Sequence, residues 1–322
     1  MTKIASYISL LLLVVTLFSC EKEVDDIVIP YTKQLVVETY LCPQDSLIQV
    51  RVTSNEPSIG IVINRFGVAT MSMSNALVIL SDGEQRKIIK FSKRKQVSPY
   101  SSEDNYYLYG YFLNTKEFPI RAGKTYTLTV TAPDYPATKA TCTVPESKVD
   151  KETIQIIKGS LATTQWHPKL TWKDVKGEEN YYNISLYYTF KTEYRGPDLK
   201  GVWQIVTSEA GIYPALFERD AYLSDYGLDG QVFTKEGSAY YYDQAIPADT
   251  SFGYAVVRDQ KIVANVAAIS KEFYAYQVKL IKQRDSQGNP FAEPVQVTGN
   301  IEGGLGFFGA YNRTEVVLDL KK

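Results

Sequence analysis

The sequence predicts a mainly β protein built from two β-rich modules and carrying a single helix. Short runs rich in Val, Ile, Thr and Tyr alternate with period two and are separated by tight polar turns as far as residue 146. No helical periodicity appears among them. Tyrosine occurs 25 times in 322 residues, and its ring suits strand faces that are packed at one end and wet at the other. Only one segment, about 270–282, combines a cap, a favourable charge and an apolar stripe of helical spacing.

Ahead of the first strand lies a leader. Lys3 supplies a positive start, residues 4–18 form an uncharged, mostly aliphatic run, and Leu17-Phe18-Ser19-Cys20 closes it. A spanning helix needs about 20 apolar residues, and this run is shorter, with its charges beginning only after Cys20. The expected reading is a lipoprotein signal peptide over 1–19, cut before Cys20, whose new N-terminal thiol carries a fatty acyl chain such as palmitate. An ordinary secretory peptide with an incidental Cys20 is the alternative. Residues 20–32 form an acidic tether with Glu21, Glu23, Asp25 and Asp26, closing near Ile29-Pro30.

The first module, 33–146, is expected to be an Ig-like β-sandwich. Leu35 through Leu41 is β-rich, Pro43-Gln44-Asp45-Ser46 turns, and 47–52 returns with clean alternation. Residues 76–80 and 87–91 flank Ser81-Asp82-Gly83-Glu84, a tight hairpin with Asp-Gly at its centre. A strand over 106–113 follows, and Arg121-Ala122-Gly123-Lys124 turns into 125–130. The unit closes with 138–144 at Pro145. Short strands joined by short turns make a sandwich.

A charged connection, 146–153, leads to the second module, 147–322. Its opening Trp-bearing strand (169–172), polar turn (176–180) and Tyr-led strand (181–188) resemble the start of a fibronectin type III module. Beyond 191 the pattern loosens, and a large irregular insertion is expected over about 191–265. The helix follows, with Ser270 as N-cap and Glu272 in the first turn, where negative charge complements the dipole. Phe273, Tyr276 and Leu280 line one face, with Tyr274, Val278 and Ile281 beside them, a stripe broad enough to be clamped against a sheet. The terminal strand is expected over 314–320.

Composition narrows the function. With 35 basic and 36 acidic side chains and no basic block, the chain lacks the clustered Lys and Arg that neutralise phosphates, which argues against a nucleic-acid partner. The one histidine, His167, cannot supply a multi-His zinc site or a two-His facial triad. Its turn-like setting between Trp166 and Pro168 predicts an exposed loop imidazole. Gly304-Leu305-Gly306-Phe307-Phe308-Gly309 formally matches a dinucleotide-binding glycine pattern, but the thirteen residues after Gly309 read as a strand, not as the helix and further acidic strand that chemistry requires. It is expected instead to be a tight crossing that lets Phe307 and Phe308 lock into the core. No catalytic residue, cofactor or metal is assigned.

Three further groups remain. Asp225, Asp229 and Asp243, with Gly227 and Gly230 nearby, offer oxygen ligands on a glycine-bearing stretch. Their spacing departs from the twelve-residue calcium loop, so they are expected to be solvated turn residues. Cys42 and Cys142 are a candidate disulfide in an exported chain, against two unpaired buried thiols. Tyr194, Tyr213, Tyr222, Tyr226, Tyr240, Tyr241 and Tyr242 form a candidate surface for gripping a glycan, a peptide or a partner protein.

Several segments are also familiar as a set. These are Lys33-Gln34-Leu35-Val36-Val37-Glu38-Thr39-Tyr40, Gly123-Lys124-Thr125-Tyr126-Thr127-Leu128-Thr129-Val130 and Ala140-Thr141-Cys142-Thr143-Val144-Pro145. Most specific are Asn289-Pro290-Phe291-Ala292-Glu293-Pro294 and Asn300-Ile301-Glu302-Gly303-Gly304-Leu305-Gly306. Together they resemble a Bacteroidota family of outer-membrane lipoproteins described as a domain of unknown function, whose members accompany TonB-dependent receptors. The resemblance implies an outer-membrane, lipid-anchored accessory protein without recognised catalytic residues. It also implies that the acidic stretch after Cys20 acts as a surface-export tag, and that Asp45-Ser46-Leu47 is an O-glycosylation acceptor. A non-enzymatic partner of a receptor barrel in nutrient uptake is therefore the expected role, with a free-standing adhesin or glycan-binding module as the alternative.

Overall fold

In the computed structural model, the described residues are 32–55, 73–96, 106–162, 165–197, 203–207, 211–215, 217, 221–240, 254–286, 289, 291–293 and 295–320. The leader, Cys20 and the acidic tether to residue 31 lie outside them.

The protein is mainly β, and the described residues are arranged as three sheets. The first module contributes β1 (Leu35–Leu41), β2 (Leu47–Ser54), β3 (Leu77–Ser81), β4 (Arg86–Ile89), β5 (Phe91–Gln96), β6 (Tyr106–Asn114), β7 (Thr125–Thr131) and β8 (Thr138–Thr143). The sheet β4-β3-β7-β8 faces the part of a larger sheet that holds β1, β2, β6 and β5. Alternation places Leu35, Val37, Val50, Val78 and Val130 in the core between them. Asp82-Gly83 joins β3 to β4 as expected: Gly83 has φ +89°, and the Asp82 carboxylate accepts from the backbone amides of Glu84 and Gln85 at 3.0 and 2.9 Å.

One expected strand divides. Residues 87–91 do not run on as a single strand, because the chain changes sheets at Lys90. Ile89 packs into the core from β4, while Phe91 starts β5 in the opposite sheet with its ring edge-on to Tyr111 at 5.3 Å.

The second module contributes β9 (Gln155–Ala162), β10 (Gln165–Lys173), β11 (Tyr181–Pro197), β12 (Trp203–Thr207), β13 (Gly211–Ala215), β14 (Tyr222–Ser224), β15 (Val232–Glu236), β16 (Ala239–Tyr240) and β17 (Tyr254–Ile269). The stretch expected to be irregular is thus largely strand where it is described. Strand β11 continues to Pro197, pairs with β17 along one edge, and has its other edge covered in turn by β14, β13 and β12. Three short pieces against one long strand produce the broken pattern in the sequence. A sheet formed by β15, β10, β16 and β9 packs over β11 and β17 around Trp172, Tyr182, Tyr188 and Ile184. Trp172 stacks on Phe233 at 5.1 Å.

Helix α1 (Lys271–Ser286) runs one turn beyond expectation, capped by Ser270, whose hydroxyl accepts from the Phe273 amide at 3.2 Å. Phe273 and Tyr276 are buried, with Leu280 partly so, against the face of the large sheet opposite the two sandwich cores.

The last strand, β18 (Leu305–Asp319), begins well before the expected 314. Its first half pairs parallel with β1, Val36 opposite Leu305 and Leu41 opposite Ala310. Its second half pairs antiparallel with β17, Ile269 opposite Tyr311 and Lys261 opposite Asp319. The two modules therefore share one ten-stranded sheet. Phe307 and Phe308 point to opposite faces: Phe307 stacks under Tyr276 at 4.5 Å, and Phe308 is fully buried in the first core. Glycine is required where β18 starts. A Cβ on Gly306, at φ +100°, would lie 2.1 Å from the Val37 carbonyl oxygen.

Gly306→Ala is expected to cost about 3 kcal/mol of unfolding free energy, combining backbone strain with that clash. Gly83→Ala, also at positive φ but in open space, is expected to cost only about 1 kcal/mol. Urea denaturation of the two variants checks the contrast, and equal losses would contradict the close approach of β18 to β1.

Candidate functional site

Where the two modules meet, a cleft of about 390 Å³ opens beside the junction of β8 with the inter-module connection. Its first wall is the 143–147 segment, with the exposed Glu146. Its second is the turn before β11, with Glu178 and Glu179, and its floor includes Tyr181 and the start of α1. Lys271 holds both Glu179 carboxylate oxygens at 3.1 Å, and the Tyr181 hydroxyl donates to the same carboxylate. Those two contacts, the Tyr181 bond first, hold the Glu179 carboxyl below its usual range. Burial, reinforced by Glu179, pushes the Tyr181 phenol up, and Glu179 raises the Lys271 ammonium. With three carboxylates to one ammonium, the cleft suits a polyhydroxyl or cationic ligand rather than an anion.

The connection itself is pinned from β18. The Asn312 amide nitrogen donates to the Pro145 and Glu146 carbonyls at 3.0 and 3.2 Å, and the Thr314 hydroxyl donates to the Val149 carbonyl at 2.6 Å. Beside them, Tyr311 donates to Asp45 at 2.7 Å and Arg313 pairs with the same carboxylate at 3.1 Å. One wall of the cleft is therefore fixed by the strand that both modules share.

The candidate tyrosines do not behave as one group. Tyr222 is half-buried beside the Phe273 ring at 6.3 Å, and burial pushes its phenol up, so its role is packing. Tyr226 is 91% exposed on the turn after β14. The backbones of Tyr194, Tyr213 and Tyr240 lie on β11, β13 and β16, and Tyr241 and Tyr242 lie outside the described residues.

The aspartates correct the sequence-based expectation. Asp225 is buried rather than solvated, and it converges with Asp229 and with Asp174, a residue not foreseen from the sequence. Asp243 lies outside the described residues. The available signal for Asp174 was its place immediately after a Trp-bearing strand, where a turn carboxylate meets a turn from elsewhere in the chain.

His167 is likewise not a loop imidazole. It sits half-buried inside β10, at an irregularity in the pairing with β9 between His167 and Lys169. The glycine pattern 304–309 leads from a bend at Gly304 into the start of β18 rather than forming a nucleotide-binding turn. Asn300 clamps it there, donating to the Phe308 carbonyl and accepting from the Phe308 amide, each at 2.8 Å.

A family model described as a domain of unknown function (DUF4249) matches residues 21–316. No curated protein matches the chain.

Cys42 and Cys142 are free thiols, so the candidate bridge is not formed. Cys42 follows β1 and donates to the Gln44 side-chain oxygen at 2.9 Å, whereas Cys142 lies on β8 in the facing sheet. Burial raises both thiols above their usual range, which slows reaction through the thiolate. Denatured without reductant, the chain is expected to take up an alkylating label at both positions, read by peptide mass. Label withheld until a reductant is added would reveal a bridge instead.

Proposed function

The chain belongs to the DUF4249 family, a domain of unknown function, and on that premise we propose a non-enzymatic outer-membrane lipoprotein that serves a TonB-dependent receptor in nutrient uptake. The observation that carries this reading is the apolar run ending in Leu17-Phe18-Ser19-Cys20. The family match begins at residue 21, directly after Cys20, which supports a leader that is separate from the folded protein. Lipid on Cys20 would confine the protein to the membrane plane, with the acidic tether directing it to the cell surface. Confinement raises effective concentration at a barrel partner, so a modest interface suffices.

The two modules, each with its own core between facing sheets, are proposed to be an Ig-like sandwich and a fibronectin-III-like domain. The cleft between them and the exposed turn at Tyr226 are the surfaces offered to cargo, whether glycan or peptide, or to receptor loops. A free-standing adhesin or glycan-binding module is the second reading, favoured by the hydroxyl-friendly chemistry of the cleft.

Cys20→Ala is expected to move the protein from the membrane fraction to the soluble fraction on ultracentrifugation, and unchanged fractionation would contradict lipid anchoring. Affinity purification from detergent-solubilised membranes is expected to recover a barrel protein in about equal amount. Recovery of the chain alone favours the adhesin.

A further inference from the structure

We propose that Asp174, Asp225 and Asp229 form a calcium site that ties the turn 225–230 to the turn 174–180. This inference does not rest on the receptor reading. Asp174 follows β10, Asp225 follows β14 and Asp229 precedes β15, yet one oxygen from each carboxylate lies within 4.8 Å of the other two. Asp174 and Asp225 are each 4% exposed, and Asp229 is at the rim.

Hydrogen bonding satisfies two of the three. Asp174 accepts from the Tyr182 hydroxyl at 2.5 Å and the Gly230 amide at 2.7 Å, and Asp229 accepts from the Gly177 amide at 2.7 Å. Asp225 differs. Its backbone is fully used, the amide donating to the Asn180 carbonyl at 3.1 Å and its carbonyl accepting from Leu228 at 2.6 Å. Its carboxylate, aimed at the other two, accepts no hydrogen bond from the described residues. Nor does any Lys or Arg among them pair with the three acids within 4.0 Å. A buried aspartate is normally paired, hydrogen-bonded or bound to a metal. Three convergent carboxylates without a counter-charge repel one another, and a cation placed between them relieves all three at once.

The ligand set is oxygen alone, which selects a hard cation. Opposed oxygens across a calcium ion stand roughly 4.6–5.2 Å apart, against about 4.2 Å across magnesium, and calcium accepts irregular coordination completed by water. All three oxygens lie within 4.8 Å of one another, close enough to share one ion, and ligands drawn from two separate turns suit calcium's tolerance of irregular geometry. Binding has a defined structural consequence. The turn 174–180 also carries Glu178 and Glu179 of the cleft wall, and the turn 225–230 presents Tyr226. Calcium at their junction would fix the cleft wall and the exposed ring relative to each other.

Equilibrium dialysis and thermal unfolding of the purified chain, in calcium and in EGTA, provide the test. One calcium per chain is expected, with a midpoint roughly 5 °C higher at saturation. Asp229→Asn, at the exposed rim, should weaken binding at least about tenfold while leaving the EGTA midpoint unchanged. Asp225→Asn should abolish the calcium-dependent shift and leave the EGTA midpoint equal or higher, since it removes a repelling charge. Absence of stoichiometric calcium, binding retained in both variants, or magnesium held as tightly as calcium would each overturn the proposal.

Discussion

The structure depends on the division of β18 between two partners. Parallel to β1 over its first half and antiparallel to β17 over its second, this strand merges two modules into one sheet. Its register has no freedom. Side chains along a strand alternate with period two, so a slip of one residue would exchange Phe307 with Phe308 and turn the ring made for α1 into the sandwich core. It would also misplace Asn312, Arg313 and Thr314, whose side chains hold the 145–149 connection and the Asp45 turn. Modules joined by a plain linker are free to rotate; here the linker is fastened along the strand they share.

This seam is polar within an otherwise apolar frame. Asn312 and Thr314 are buried at 3% and 5% exposure, and both find partners. The bonds of these two side chains specify one arrangement, because a shifted strand would leave the Asn312 amide and the Thr314 hydroxyl without these partners. Ion pairs at the periphery, such as Lys87 with Glu117 and Lys169 with Glu236, sit in water and add little. Most of the holding force comes from the two sandwich cores, with a third apolar cluster under α1.

Local chemistry was legible in the sequence. The Asp82-Gly83 hairpin, the Ser270 cap and the alternating strands of the first module all depend on neighbours a few residues away, and they fold as their composition indicates. What could not be read depends on distant partners. The region after 191 has weak periodicity because β11 is edged by three short strands. The sheet change at Lys90 is invisible because Ile89 and Phe91 are both apolar. His167 was misplaced because Pro168 imitates a turn inside β10. The aspartates show the same limit more sharply, since Asp174 and Asp225 belong to different turns and no spacing rule connects them. The glycine-rich stretch 304–309 was readable as a close crossing, because only a missing side chain explains so many glycines beside two phenylalanines.

The position of β18 in chain order also governs how the protein reaches its native state. Val36 near the start of the first module has Leu305 as its parallel neighbour, so that module's sheet is completed only when a distant segment has emerged. Contacts of such high order form slowly. A chain threaded outward from its N-terminus would keep one edge of its leading module unsealed until the last strand arrives. Until then the bare edge is open to pairing with another chain, so delayed closure carries a risk of aggregation.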